Sequence, residues 1–165
     1  MDNKIALLKL LEENPRLTVA QLAQMAGIPL AEAEATIREC EQNHTILGYR
    51  TMIDWDKTDL EAVTAFIEVK LQPQRGEGFD RIASHIYRWP EVTSVYLMSG
   101  GYDLAVIVTA STMSEIAMFV AKRLAPIDGV LSTATHFILT KYKEGSVDFT
   151  SEDEEFDERG SNLCD

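Results

Sequence analysis

Over roughly the first forty residues the apolar positions recur at helical spacing, and from Ala62 they alternate at strand spacing. Ile5, Leu7, Leu8, Leu10 and Leu11 predict a helix over residues 3–14, stopped at Asn14-Pro15 because proline disfavours a helical residue before it. Thr18-Val19-Ala20-Gln21 has the spacing of a capping box, and Leu22, Ala23 and Ala26 continue a second helix until Gly27 supplies a C-terminal stop. Pro29 fits the start of a third helix, with Ala33, Ile37 and Cys40 on one stripe and Glu32, Glu34, Thr36, Arg38 and Glu39 on the exposed side. Two short helices joined by a glycine-containing turn, behind a supporting helix, make a helix-turn-helix. The same spacing also suits any three-helix bundle, because it fixes packing and not groove contact. Residues 46–56 read as extended chain with a turn, a wing and connector.

Beyond Ala62, Val63 to Leu71 is a strand ended by Pro73, Gly76 and Gly78. Phe79, Ile82, Ala83 and Ile86 mark a helix closed by Trp89-Pro90. Val92 to Met98 and Leu104 to Thr109 are two further strands, separated by Ser99-Gly100-Gly101-Tyr102-Asp103. Thr112-Met113-Ser114-Glu115 is another capping box, leading Ile116, Ala117, Val120 and Leu124 into a helix that ends between Pro126 and Gly129. Val130 to Tyr142 is the last strand. The order βαββαβ is the ferredoxin-like split arrangement, an α+β fold with a four-stranded antiparallel sheet. The expected organisation is a winged helix-turn-helix over 1–50, a connecting strand over 51–61, a sensing and oligomerisation domain over 62–145, and an acidic, flexible tail over 146–165.

In such a sheet both helices lie on one face. The other face would be wet in an isolated chain, yet strand three offers Leu104, Val106 and Val108 on one side and Ala105 and Ile107 on the other, and Phe66 opposes the Ala65-Ile67-Val69 side of strand one. An apolar surface of this kind marks an interface, and its simplest cover is the same face of a second subunit. A chain of 165 residues in two small domains also gains stability by associating.

Charge changes this picture in one place. Of the formal net charge of −12, residues 146–165 carry −7, from Asp148, Glu152, Asp153, Glu154, Glu155, Asp157, Glu158 and Asp165 against Arg159, which leaves −5 elsewhere. The tail is either a solvated segment or a charge mimic that competes with nucleic acid. No apolar run is long enough to span a membrane, and the start Met1-Asp2-Asn3-Lys4 lacks a signal-peptide layout, so a cytoplasmic location is expected. The two cysteines, Cys40 and Cys164, offer neither a disulfide framework nor a metal cluster and are expected to be reduced thiols.

Chemistry has few anchors. His44, His85 and His136 are scattered without metal spacing, and neither a phosphate loop, a nucleophile elbow nor an HExxH motif occurs. No cofactor, metal or catalytic residue is therefore expected. Gly100-Gly101 reads either as a hairpin requiring positive φ or as a place where a ligand approaches exposed backbone N–H groups, with Asp103 beside it for an ammonium group. Thr133 and Thr135 alternate on one face of the last strand and either add hydroxyls to such a site or serve as ordinary strand formers.

Gly27-Ile28-Pro29 in the turn, Ile46-Leu47-Gly48-Tyr49 after the third helix and Ser99-Gly100-Gly101-Tyr102-Asp103 between strands resemble the Lrp/AsnC family, the leucine-responsive or feast/famine regulators. The likeness covers about residues 2–145. It implies a winged helix-turn-helix that binds double-stranded DNA, a domain that senses amino acids, homodimers formed through the sheets, and assembly of dimers into octamers. It points to Ser99, Gly100, Gly101, Tyr102 and Asp103 as the ligand loop, with Thr133 and Thr135 close by. The candidates for DNA contact are Arg16, Thr36, Arg38 and Arg50.

The third helix departs from the family pattern. Between Pro29 and Asn43 it holds Arg38 alone against Glu32, Glu34, Glu39 and Glu41, and residues 1–50 carry five basic and seven acidic side chains. The leading reading is a ligand-responsive transcriptional regulator. The alternative is a DNA-binding-deficient module of the same family that senses ligand or joins a DNA-competent paralogue. A third reading, enzymatic, follows from relatives of this family that decarboxylate haem precursors, and it would require a tetrapyrrole cleft with basic and histidine side chains.

Overall fold

The computed structural model describes residues 2–72 and 78–149. The expected strand stop at Pro73 and Gly76 and most of the acidic tail, with Cys164, lie outside these residues. The chain divides into two compact units: a head reaching to Ile53 and including Lys143–Asp148, and a body running from Asp54 to Tyr142 with Phe149.

The head is built on α1 (Asn3–Glu13), α2 (Val19–Ala26) and α3 (Leu30–Gln42). Each helix begins and ends where the local chemistry requires. The Asp2 side chain accepts the Lys4 N–H at the start of α1, and the chain leaves helical geometry at Asn14, before Pro15. Thr18 and Gln21 form the expected capping box, satisfying two backbone donors that α2 cannot pair internally. Gly27 closes α2 in the left-handed region at φ 69°, while the amides of Gly27 and Ile28 return to the carbonyls of Gln24 and Ala23. Pro29 caps α3, its missing N–H being one the helix could not have paired. The core is Leu7 and Leu11 from α1, Leu22 and Ala23 from α2, and Ala33 and Ile37 from α3.

Beyond α3 the backbone turns through His44, a non-glycine residue at φ 58°, and the Ile46 amide reaches back to the Cys40 carbonyl. Thr36, expected on the exposed side of α3, is half-buried, three residues after Ala33 and four before Cys40 and so beside the inward stripe. Residues 46–53 run without a sheet partner among the described residues, and a short 3₁₀ turn follows at Trp55–Lys57. The strand pair that groups with the head comes from the other end of the chain, where β5 (Lys143–Glu144) and β6 (Val147–Asp148) form a two-stranded ribbon.

The body contains β1 (Val63–Leu71), α4 (Gly78–Ile86), β2 (Val92–Leu97), β3 (Leu104–Ala110), α5 (Met113–Phe119) and β4 (Val130–Phe137), in the expected βαββαβ order. The sheet order is β2-β3-β1-β4, and each of its pairings is antiparallel. Residues directly opposite share a face, so the register sorts the two sides. Ala65, Ile67 and Val69 pair with Val108, Val106 and Leu104, and all six are buried beneath Ile82 and Ile86 of α4 and Ile116 and Phe119 of α5. Thr64, Phe66 and Glu68 share the helix-free side with Thr109, Ile107 and Ala105. After Phe119 the helix widens into a π turn, Val120–Leu124, in which the Ala125 amide reaches the Val120 carbonyl.

Two expectations change here. The last strand ends at Phe137 and not at Tyr142, because β1 starts at Val63 and offers little backbone beyond the bond from Ile138 N–H to Thr64 O. In the second capping box Thr112 accepts the Glu115 N–H, while the Glu115 carboxylate takes the amide of Ser111, one residue outside the helix cap.

Candidate functional site

On the head, Arg16, Arg38 and Arg50 are exposed. Three of the four acids of α3 are engaged by the head itself. Glu32 accepts from the Asn3 amide at 2.9 Å, Glu39 lies 3.5 Å from Lys4 Nζ, and Glu41 accepts the Tyr49 hydroxyl at 2.9 Å. Burial and the Glu41 carboxylate together push the Tyr49 phenol above its ordinary value. Because Ala33, Ile37 and Cys40 define the inward side of α3, the 3.6-residue period places Ala31, Ala35, Arg38 and Gln42 on the outward stripe. That stripe carries one cation and small or neutral partners, a surface able to read base edges but poor in phosphate contacts. The sequence reading passed over Ala31, Ala35 and Gln42 because it looked for charge, although the helical period already placed them.

In the body, the loop Ser99–Asp103 is fixed by its last residue. The Asp103 N–H bonds to Val69 O, the Asp103 carbonyl accepts from Met98 N–H, and Asp103 Oδ2 accepts the Leu71 N–H at 2.7 Å. One carboxylate oxygen thus extends the ladder between β1 and β3 past its final pair, and the other takes no backbone bond among the described residues. Ser99, Gly100 and Gly101 are exposed. The loop does join the antiparallel pair β2 and β3, but neither glycine has positive φ, which corrects that part of the hairpin expectation, and a Cβ at either would meet nothing within 4 Å. Among the described residues nothing requires glycine at these positions.

The remaining candidates separate across the sheet. The Tyr102 ring packs edge-on to Phe66, with centroids 5.9 Å apart, on the helix-free side. Thr133 and Thr135 pair with Val69 and Ile67, so they lie half-buried on the helix-covered side. Within one chain the threonines do not converge with Tyr102 on a single face.

The helix-free side also carries polar groups that the sequence reading did not connect. His136 Nε2 lies 3.4 Å from Glu68 Oε1, and the Thr64 and Thr109 hydroxyls are 3.1 Å apart. Phe66 lies between Tyr102 and His136, at 6.1 Å from the imidazole centroid. Among the described residues no group of His, Cys, Asp and Glu side chains is placed to hold a metal ion, and no helix is long and apolar enough to cross a membrane.

Comparison with known proteins agrees with this division. Residues 2–46 match the family model of a winged helix-turn-helix DNA-binding domain, and residues 64–148 match that of the Lrp/AsnC ligand-binding domain. The chain is 48% identical to the HTH-type transcriptional regulator YugG of Bacillus subtilis over 155 residues, 93% of each protein. A transcriptional regulator of Neisseria meningitidis solved with L-Met superposes with a TM-score of 0.71 at 23% identity, covering 87% of this chain and 92% of that one. AsnC of E. coli superposes with a TM-score of 0.69 at 19% identity, covering 89% and 97%.

Proposed function

This chain belongs to the Lrp/AsnC family of transcriptional regulators, and on that premise we propose that its DNA binding responds to an amino acid held at the Ser99–Asp103 loop. The observation that carries this reading is the glycine pair. Gly100 and Gly101 leave open space beside a carboxylate whose position is set by the Leu71 amide, so a ligand can approach the backbone while Asp103 faces its ammonium group. The L-Met of the Neisseria regulator supports an amino acid as the effector class. In this reading Arg38 reads bases from the outward stripe of α3, Arg16 and Arg50 hold phosphates, and half-buried Thr36 positions the helix. Two chains pair through the helix-free face around Phe66 and Ile107, and such dimers assemble further toward an octamer, which brings Thr133 and Thr135 of other subunits within reach of the loop. The protein acts in the cytoplasm and catalyses no reaction of its own.

A gel-shift titration against DNA upstream of the protein's own operon, with each of the twenty amino acids, tests the reading. Retardation whose midpoint moves with one amino acid is expected; no retardation at low salt under any condition would refute it. The acidic residues of α3 favour a second reading, a sensing module without DNA affinity. Normal effector binding and oligomer mass combined with absent retardation would select it.

A further inference from the structure

One apolar surface of the head is left open among the described residues. A groove of about 460 Å³ runs between α1 and the extended chain at 46–50. Ile5 and Leu47, which line it, are 44% and 89% exposed, and Leu8 is half-buried in its wall. Lys9 and Arg50 also line it, both exposed and neither in an ion pair among the described residues, against a single acid, Glu12. Such a groove suits an occupant that carries an apolar side chain flanked by negative charge.

The chain itself contains a segment of this kind. In Glu152-Asp153-Glu154-Glu155-Phe156-Asp157-Glu158 one aromatic residue stands among six carboxylates. The segment follows shortly after the ribbon Lys143–Asp148, which groups with the head. From Asp148 to Phe156 the chain can reach about 27 Å, at roughly 3.4 Å per residue, and a unit of the head's size is about 25 Å across. The groove is therefore within reach wherever it lies on the head. A tethered segment meets its site at an effective concentration on the order of millimolar, so contacts that are weak one by one suffice to hold it.

We propose that the acidic stretch Glu152–Glu158 docks in the head groove of its own chain and withholds Arg50 from DNA. Phe156 lies against Ile5 and Leu47, and the carboxylates on either side of it face Lys9 and Arg50. Because these charges are exposed, the ion pairs are weak and screened by salt, and the apolar anchor fixes the register. The competition rests on the reading of Arg50 as a phosphate contact, whereas the docking stands on the groove and the segment alone.

Carbodiimide coupling of the full-length protein without DNA, read by peptide mass spectrometry, tests the docking. Links from Lys9 to carboxylates of Glu152–Glu158 are expected, and their yield should fall about tenfold in Phe156→Ser and in Leu47→Ser, each of which removes one apolar anchor and no charge. Leu47 is too exposed for its replacement to disturb the fold, which an unchanged melting temperature checks. Wild-type yields in both variants would overturn the proposal. In a mixture of isotopically light and heavy chains, links that join the two labels would place the segment on another subunit and overturn it as well. Fluorescence anisotropy then reads the competition, and Phe156→Ser should bind DNA more tightly than wild type by a factor of about three or more. If only Glu154→Gln with Glu155→Gln tightens binding, the segment merely repels DNA and the proposal fails. If neither wild type nor variants bind DNA while the Lys9 links persist, the DNA reading of the head fails and the docking stands.

Discussion

The carboxylate of Asp103 accepts the backbone N–H of Leu71 across the end of the sheet, at 2.7 Å. The residue has two separable duties, since the bond to Leu71 needs an oxygen and an effector ammonium needs a negative charge. Asp103→Asn keeps the oxygen and loses the charge, so its melting temperature should stay near wild type while effector affinity falls at least tenfold. Asp103→Ala leaves the Leu71 donor unpaired and should cost about 1–3 kcal/mol in urea unfolding as well.

Gly27 and His44 occupy the same left-handed backbone region, at φ 69° and 58°, at the ends of successive helices. A side chain there costs about 1–2 kcal/mol, and glycine gives back part of the difference through its larger unfolded-state entropy. Gly27→Ala should destabilise the head by about 1 kcal/mol, and His44→Gly should stabilise it by roughly 0.5–1 kcal/mol. Paired urea titrations check both signs.

Tyr49 titrates above its ordinary value in the folded protein, first because of burial and then because of Glu41. The unfolded chain therefore loses this proton first. Its contribution to stability is complete below a pH of about 10 and is lost as the pH rises through the folded value. Tyr49→Phe should flatten the alkaline fall in melting temperature. Ultraviolet titration of the phenols should lose its highest component in the same variant.

Phe66 and Ile107 lie outside the buried core beneath α4 and α5, on the helix-free side. A charge at either position should therefore spare the fold and oppose self-association. Phe66→Asp and Ile107→Asp are expected to give the mass of one chain by light scattering where the wild type gives two or more. Wild-type mass in both variants would remove this face from the interface.

DNA binding should show a shallow dependence on salt, because the head offers few free cations and each neutralised phosphate contributes a slope of about −0.9. Arg16→Ala and Arg50→Ala should each reduce the slope by about one per phosphate lost and weaken all sequences alike. Arg38→Ala should instead lower the preference for the operator over random DNA. Fluorescence anisotropy at several salt concentrations separates the two effects.

The helix ends of the head were legible because Thr18, Gln21, Gly27 and Pro29 act on the backbone within a few residues. The same holds for the βαββαβ order, since strand periodicity is a local property. What escaped the sequence depends on neighbours distant in the chain. β4 stops where β1 runs out of backbone, and Glu91 meets Arg123 thirty-two residues away, with no periodicity linking them. The side of the sheet on which Thr133 and Thr135 stand became visible only when their register with Val69 and Ile67 was set. The residues of the loop Ser99–Asp103 are legible in the sequence, but of the two readings of its glycines the local one, positive φ, does not apply.

The ribbon at Lys143–Asp148 groups with the head although nearly the whole body precedes it in the chain. During synthesis, then, the three helices leave the ribosome early but their unit is finished only after the last sheet strand has been made. A nonsense codon just past Phe137 would leave the described helices and the four strands of the main sheet encoded, yet it would deprive the head of the ribbon that groups with it.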